Sequence, residues 1–255
     1  MKILITSGGT KIPIDRVRSI TNMSRGTFGS RIADAFYKLG CNNIRKQDKE
    51  QIEKITFFMA KGSKLPFVDK RLMCEIMYET HAAPGHVPVE MFEYSTFDDY
   101  KAGVEKLLSR EKYDIIVAAA AVSDYGVANY YNGKYRSRED DMCIKLVKLP
   151  KILPIMRKLA PDSVICGFKL LVDSTTEELL NAMKNQIVES DVDLVIGNDL
   201  RDIKNDDHKL TVMSKHNTTP REYSLPPHEE RKQFAVYPLA KAVMDECFME
   251  YKMKG

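Results

Sequence analysis

The chain has 255 residues, of which 44% are hydrophobic and 29% are charged, and its formal net charge is +3. This balance is typical of a soluble globular protein, and the length allows one large core or two small ones. No basic run is interleaved with aromatic residues, so we expect no nucleic-acid surface. No stretch approaches the roughly 20 apolar residues that a membrane span needs. The five cysteines are scattered without metal-ligand spacing, which predicts reduced thiols and a cytoplasmic location.

The first predicted unit is a strand, a glycine-rich loop and a helix. An apolar run from Ile3 to Thr6 predicts a buried strand, and the loop from Ser7 to Gly29 follows it. The helix is predicted over residues 27–39, with Gly40 as its C-terminal stop. A strand, a glycine-rich turn and a helix in this order are typical of the first βα unit of a nucleotide-binding fold.

The rest of the chain alternates between strands and helices. Strands are predicted at residues 55–60, 89–92, 113–122, 163–168 and 194–198, and helices over 97–110, 150–160, 174–189 and 233–251. Ser174 and Glu177 have the spacing of a capping box. We therefore predict an α/β fold, with a three-layer, Rossmann-like, mostly parallel sheet flanked by helices.

Two segments depart from this alternation. Residues 126–148 hold tyrosines, an Asn-Gly pair and a basic patch, and they predict a flap or hairpin arm. Lys209 to Ser214 and Arg221 to Leu225 predict an antiparallel pair within an extension at about 205–230. No internal repeat or low-complexity linker divides the chain, so we expect a single domain over 1–255.

The loop residues predict an anion site. Gly8 and Gly9 permit a tight turn and a close approach of the backbone, while Gly26 and Gly29 lie where the helix begins. The N–H groups and the dipole of a helix N-terminus favour an anion. A plain tight turn explains the same glycines, and Asn22 could bind a ligand carbonyl or only brace the loop.

Two further residues carry groups suited to phosphate chemistry. Asp124 follows the longest apolar strand, where its carboxylate could hold a Mg²⁺ that bridges phosphates, or could cap a turn. Lys134 lies in the predicted flap, where it could close over a triphosphate and stabilise developing charge, or be an ordinary surface lysine. Asn198 and Asp199 end another strand, and a simple turn explains them equally well.

The spacing of these residues is similar to the signature of one family. The chain reads GGTxxxIDxVRxITNxSxGxxG from Gly8 to Gly29, which resembles the signature of the phosphopantothenoylcysteine synthetase family. The resemblance continues through further segments: Ala120 to Asp124, Lys134 to Ser137, Leu146 to Pro150, Gly167 to Lys169 and Gly197 to Asp199. It covers nearly the whole chain and is to the stand-alone form, so we expect no flavin-dependent decarboxylase domain.

The resemblance implies an activity in coenzyme A biosynthesis. It implies ligation of 4′-phosphopantothenate and L-cysteine through an acyl-nucleotidylate, with release of pyrophosphate. It also implies Mg²⁺, a nucleoside triphosphate as co-substrate and a homodimer, with 126–148 and 205–230 as candidate contacts. The sequence leaves CTP and ATP open, and the likeness to stand-alone microbial forms favours CTP.

The resemblance also implies roles for single residues. Asn22 would engage the carbonyl of the acyl-nucleotidylate, Lys134 would neutralise charge in the first step, and Asp124 would lie near the ribose or the metal ion. The implied nucleotide- and substrate-binding residues are Gly8, Gly9, Thr10, Arg18, Ser24, Gly26, Gly29, Ala120, Ala121, Asp124, Phe168 and Asn198.

Two other functions stay open at this point. The glycine-rich loop is compatible with a Rossmann-type reductase that uses a nicotinamide cofactor, although no GxGxxG occurs in the chain. A non-catalytic, nucleotide-binding relative with the same fold is the second alternative. Asn22, Asp124 and Lys134 argue against a non-catalytic protein, because together they supply the groups that the ligation would need.

Overall fold

A computed structural model of the chain describes residues 1–46, 51–66, 87–136, 142–204, 208–226 and 236–254. The strands are β1 (Lys2–Ser7), β2 (Lys11–Pro13), β3 (Ser19–Thr21), β4 (Lys54–Ala60), β5 (Val89–Tyr94), β6 (Ile115–Ala118), β7 (Tyr125–Val127), β8 (Leu146–Lys148), β9 (Val164–Leu171), β10 (Leu194–Asp199), β11 (Lys209–Ser214) and β12 (Arg221–Ser224). The helices are α1 (Thr27–Lys46), α2 (Phe97–Arg110), α3 (Ile152–Leu159), α4 (Thr176–Ser190), α5 (Leu200–Lys204) and α6 (Pro238–Lys254).

Eight of these strands form one sheet in the order β12-β11-β10-β9-β6-β1-β4-β5. Six neighbouring strands of this sheet pair in parallel: β10, β9, β6, β1, β4 and β5. β11 is antiparallel to both β10 and β12. From the central strand β1 the chain builds β4 and β5 on one side, and then returns to β6 on the other. The switch point therefore lies between β1 and β6, as in doubly wound nucleotide-binding sheets.

The core consists of two apolar layers, one on each face of the sheet. Ile3 and Ile5 of β1 point into the layer that α1 and α6 cover, whereas Leu4 points into the layer under α2, α3 and α4. All three side chains are fully buried. A strand buried on both faces reads as a continuous apolar run, as β1 does. The predicted three-layer α/β fold is confirmed.

The prediction that α1 stops at Gly40 is wrong. The helix continues through Gly40 to Lys46. A Cβ atom at Gly40 would lie 2.4 Å from Val87 Cγ2 and 3.2 Å from Ile52 Cβ. The glycine therefore lets the helix approach these two side chains closely, which is a packing role that looks like a stop signal in the sequence alone.

Other boundaries also differ from the predicted ones. The strand predicted over 113–122 is shorter, because β6 ends at Ala118 and the residues beyond it turn into the loop that reaches Asp124. The capping box lies one residue later than predicted and pairs Thr175 with Glu178. The last helix begins at Pro238, and residues 233–235 of its predicted span lie outside the described residues.

The arm and the extension are both present as antiparallel pairs. β7 pairs with β8 to form the hairpin arm, of which residues 137–141 lie outside the described residues. β11 and β12 lengthen the main sheet, and Arg221 and Tyr223 of β12 both donate to the buried carboxylate of Glu246 in α6. Within the described ranges we find no helix that combines the length and the apolarity of a membrane span.

Candidate active site

The loops that follow β1 and β6 are joined at the switch point. The backbone N–H of Ala121 donates to Gly8 O at 2.7 Å, and Thr10 N donates to Ala121 O at 3.2 Å. The buried hydroxyl of Thr10 accepts from Ser123 N at 2.9 Å. Gly8, Thr10 and Ala121, which are far apart in the sequence, therefore line one edge of the sheet at the carboxyl ends of its strands.

Asn22 lies on this junction. Its Nδ2 donates to Ala121 O at 2.6 Å and to Ser123 Oγ at 3.4 Å. A Cβ atom at Gly9 would lie 3.0 Å from the backbone oxygen of Asn22, so a glycine at this position lets the two loop segments touch. A ligand carbonyl that binds the Asn22 amide would have to replace the longer of its two bonds.

The N-terminus of α1 is seated on the end of β1. Ser7 Oγ donates to Gly26 O at 3.0 Å, and a Cβ atom at Gly29 would lie 2.4 Å from that same Oγ. Gly26 has a φ of +71°, which favours glycine. Ser24 Oγ accepts from Gly26 N at 3.4 Å. The first-turn N–H groups of a helix have no partner within the helix, so this end of α1 offers donors to an anion.

Phe168 of β9 belongs to an aromatic cluster. Phe168 packs edge-to-face on Phe28 at 5.9 Å between ring centroids, and Phe28 contacts His208 at 5.6 Å. His208 Nδ1 hydrogen-bonds to the Tyr237 hydroxyl at 3.1 Å. Burial and then the charge of Arg31 lower the pKa of His208. Phe168 was predicted to be part of the site, whereas nothing in the spacing of the sequence identifies His208 or Tyr237.

Asn198 lies on the strand next to Phe168, at the same edge of the sheet. In the β9–β10 register Phe168 is opposite Ile196, and Leu170 is opposite Asn198. Asp199, the residue after Asn198, is buried and accepts from Ser174 N at 2.8 Å and from Arg201 N at 2.9 Å. These backbone donors lower the pKa of Asp199 to about 2. The Asp199 carboxylate thus ties the end of β10 to the loop before α4.

Asp124 is exposed and ion-paired. Its side chain is 58% exposed, and Lys151 Nζ lies 2.6 Å from its Oδ1. Among the described residues no three His, Cys, Asp or Glu side chains come together as a metal site. Mg²⁺ is usually held by one or two carboxylates plus substrate oxygens. This donor set does not fit a Mg²⁺ held by the protein alone.

Arg18 contacts the segment that carries Lys134, because its guanidinium donates to the backbone oxygen of Tyr135 at 3.4 Å. Lys134 is exposed and forms no ion pair within the described ranges. Arg18 Nη1 lies 2.6 Å from the Oδ2 of Asp15, a buried carboxylate that also accepts from Tyr135 N at 3.1 Å. Asp15 was not among the predicted site residues, although it lies within the signature from Gly8 to Gly29.

The fold and the site together define a Rossmann-like α/β protein whose candidate ligand site lies at the switch point of the sheet. The chain matches the family described as the DNA/pantothenate metabolism flavoprotein C-terminal domain over residues 1–45 and 76–243. It belongs to this family. The predicted resemblance is therefore confirmed at the level of the family.

Individual relatives agree with this assignment. The chain is 28% identical over 214 residues to the coenzyme A biosynthesis bifunctional protein CoaBC of Thermococcus kodakarensis, covering 84% of this chain and 45% of the relative. It thus spans less than half of that protein. It is 26% identical over 224 residues to the phosphopantothenate–cysteine ligase of Homo sapiens, covering 74% of this chain and 71% of the ligase.

A solved structure shares the fold. The structure of a Cab2 mutant in complex with phosphopantothenate-cysteine aligns with a TM-score of 0.78 at 20% identity. The alignment covers 99% of this chain and 87% of the other. At this identity the likeness shows the fold alone.

Proposed function

We propose that this protein ligates 4′-phosphopantothenate to L-cysteine at the expense of a nucleoside triphosphate, as a step in coenzyme A biosynthesis. One observation carries the proposal: the signature from Gly8 to Gly29 contacts Ala121 at the switch point, where an α/β sheet binds its ligand. The names of the relatives support it, because two of them are a coenzyme A biosynthesis protein and a phosphopantothenate–cysteine ligase.

The reaction needs two displacements because a carboxylate is a poor electrophile. In the first step a carboxylate oxygen of 4′-phosphopantothenate attacks the α-phosphorus, the bond from that phosphorus to the bridging oxygen breaks, and pyrophosphate leaves. In the second step the cysteine amine attacks the acyl carbon. The bond from that carbon to the phosphate-linked oxygen breaks, and the nucleoside monophosphate leaves with this oxygen. The amine gives its proton to solvent as the amide forms.

The described residues offer a binding group for each part of the reactants. The N-terminus of α1, with Ser24, Gly26 and Gly29, would bind the triphosphate through N–H groups and a hydroxyl. Lys134 would neutralise charge that develops in the first step, and Asn22 would hold the acyl carbonyl. Fixing two reactants in line can contribute roughly 7–11 kcal/mol to lowering a barrier.

The remaining assignments concern binding alone. Phe168 of β9 and Asn198 of β10 would line the base, while Gly8, Gly9, Thr10 and Arg18 would shape the loop around the substrate. We propose CTP as the nucleotide, with ATP as the alternative. Mg²⁺ would arrive with the triphosphate as part of the substrate, and Asp124 could contact it or the ribose after releasing Lys151.

We also propose that the protein is a homodimer and that the arm is its contact. The exposed large side chains of the arm include Tyr125 at 56%, Leu146 at 45% and Val147 at 42%. Clustered exposed apolar residues commonly mark a protein interface. The outer strand β12, within the predicted extension, is the alternative contact because its free edge could pair with another strand.

A pyrophosphate-release assay tests the reaction. The purified protein is incubated with 4′-phosphopantothenate, with and without L-cysteine, and with CTP and ATP in parallel. We expect pyrophosphate with CTP, and amide product by mass spectrometry only when cysteine is present. If neither pyrophosphate nor product forms with either nucleotide, the ligase activity is excluded and a non-catalytic relative is favoured.

A further inference from the structure

Asp15 is the only acidic residue of the first loop, Ser7 to Gly29, and its carboxylate is heavily hydrogen-bonded. It is only 3% exposed. Its Oδ1 accepts from Val17 N at 2.8 Å and from Arg18 N at 2.7 Å. Its Oδ2 accepts from Arg18 Nη1 at 2.6 Å and from Tyr135 N at 3.1 Å. One oxygen therefore closes a local turn, while the other reaches a segment 120 residues further along the chain.

Arg18 holds the other side of the same distant residue. Its Nη1 and Nη2 both donate to the backbone oxygen of Tyr135, each at 3.4 Å. The Asp15–Arg18 ion pair thus contacts both the N–H and the C=O of Tyr135. Charge-assisted bonds of this kind are stronger than neutral ones, so one ion pair can fix the backbone at this point.

Further contacts hold the residues before Tyr135. Arg16 N donates to Gly133 O at 3.0 Å, and Tyr131 N donates to Ile14 O at 3.2 Å. Gly133 and Tyr135 are both anchored, so the backbone of Lys134 is fixed between them. The Lys134 side chain itself is exposed, which leaves its ammonium group available to a ligand.

We propose that the Asp15–Arg18 pair is a positioning device that fixes the Lys134 segment against the first loop. What Lys134 does there rests on the proposed function, whereas the positioning rests on the contacts alone. Burial raises the pKa of Asp15, but the N–H donors of Val17, Tyr135 and Arg18 and the charge of Arg18 outweigh it and hold the pKa below its ordinary value. The carboxylate is therefore charged at neutral pH.

The two oxygens of Asp15 make a selective variant possible. In Asp15→Asn the retained oxygen can still close the turn with Val17 and Arg18, while the new amide faces two donors, Tyr135 N and Arg18 Nη1. The bond from Asp15 to Tyr135 N is then lost, while the local turn is kept. Asp162→Asn is the matched control because Asp162 is exposed and no described side chain pairs with it.

The first readout is amide hydrogen exchange in the intact protein, which is independent of activity. In Asp15→Asn we expect peptides within 130–136 to exchange roughly tenfold faster, with β1 unchanged, because local opening is controlled by the bonds that tie a segment down. Asp162→Asn should match the wild type. Unchanged exchange at 130–136 would overturn the positioning device, whatever the activity.

The second readout separates positioning from the proposed function. We expect Asp15→Asn to lower kcat for pyrophosphate release roughly tenfold with little change in the KM for nucleotide. This is the effect of losing a contact that is made only in the transition state. The Asp15→Asn/Lys134→Ala double variant should be no slower than Lys134→Ala alone. Faster exchange with wild-type kcat, or additive losses, would overturn the link to Lys134. Faster exchange in a protein whose wild type shows no turnover would leave the device standing and remove the proposed function.

Discussion

The side-chain amide of Asn22 lies 2.6 Å from the backbone oxygen of Ala121, a residue 99 positions further along the chain. This bond joins the loop after β1 to the loop after β6, on either side of the switch point. The same amide that the proposed reaction assigns to the acyl carbonyl therefore also holds the two walls of the site together. Changes at Asn22 test both roles at once.

We predict that Asn22→Asp impairs the second step more than the first. The substitution places a carboxylate oxygen against Ala121 O, where the wild type has a donor, and it removes the donor for the acyl carbonyl. Loss of one such donor commonly reduces a rate about 10²- to 10³-fold. Pyrophosphate release should continue while amide formation falls, so that mass spectrometry detects an accumulated acyl-nucleotidylate.

The control for this variant is Asn181→Asp, which makes the same change on the exposed face of α4. It should leave both steps at the wild-type rate. If Asn22→Asp lowers pyrophosphate release and amide formation by the same factor, the assignment of Asn22 to the second step is wrong. Thermal unfolding of both variants shows whether a lost loop contact explains the difference.

We predict that Lys134→Ala removes most of the first step. The ammonium group is exposed on an anchored segment, so its loss removes positive charge without leaving a described partner unpaired. A contact of this kind to developing phosphate charge is worth about 10²- to 10³-fold in rate. Lys148→Ala, an exposed lysine of the same arm, is the matched control. Equal pyrophosphate release in the two variants would contradict the role of Lys134.

Local sequence pattern was enough to predict the parts of the site that lie within one loop. Gly8, Gly26 and Gly29 were predicted at the loop and at the start of the helix, and each is close to another atom where a Cβ would intrude. The strand–loop–helix order also predicted the parallel sheet. Glycine spacing reports such demands because few other residues fit a positive φ or a close approach.

Long-range pairing is what the sequence could not reveal. The Gly40 error shows that a glycine used for close packing and a glycine used as a helix stop look alike in one sequence. Ser174 was predicted as the cap, but its hydroxyl donates to Asp199 instead, and Thr175 caps the helix. The pairing of Asp15 with Tyr135 likewise depends on which segments the fold brings together.

We predict that Asp199 makes the protein acid-sensitive. Its pKa falls from the ordinary 3.8 to about 2, chiefly because Ser174 N and Arg201 N donate to it. A folded-state pKa below the unfolded value stabilises the protein above the unfolded pKa, and this contribution is lost as the pH falls from about 4 towards 2. In urea unfolding, Asp199→Asn should be less stable at pH 7 and should lose less stability over this interval. If the free energy of unfolding falls equally in the wild type and in Asp199→Asn over this pH interval, the prediction is contradicted.

We predict that the arm controls the oligomeric state. Val147→Glu places a charge among the exposed apolar side chains of β7 and β8, where burial in a dimer would leave it unpaired. Unpaired charge in an interface is costly, so sedimentation equilibrium should show a dimer for the wild type and a monomer for the variant. Glu222→Lys on β12 tests the alternative contact. If the Val147→Glu protein is still a dimer, the arm is not the contact, and β12 becomes the candidate interface.

We predict that Gly29→Ala destabilises the protein even though alanine favours a helix. The new Cβ would lie 2.4 Å from Ser7 Oγ and 2.7 Å from Ser7 Cβ, and Ser7 is fully buried. Overpacking of this kind typically costs about 1–3 kcal/mol, which exceeds the gain of roughly 0.5–1 kcal/mol from replacing a helical glycine.

A double-mutant cycle with Ser7→Ala separates the clash from a general effect on α1. Removing Ser7 Oγ relieves the closer of the two contacts, so Gly29→Ala should cost less in the Ser7→Ala background than in the wild type. Urea unfolding of the four proteins gives the coupling free energy, which is commonly about 0.5–3 kcal/mol for residues in contact. Additive costs would mean that Ser7 is not what excludes a side chain at Gly29, and that the contact between α1 and β1 can accommodate an added methyl group.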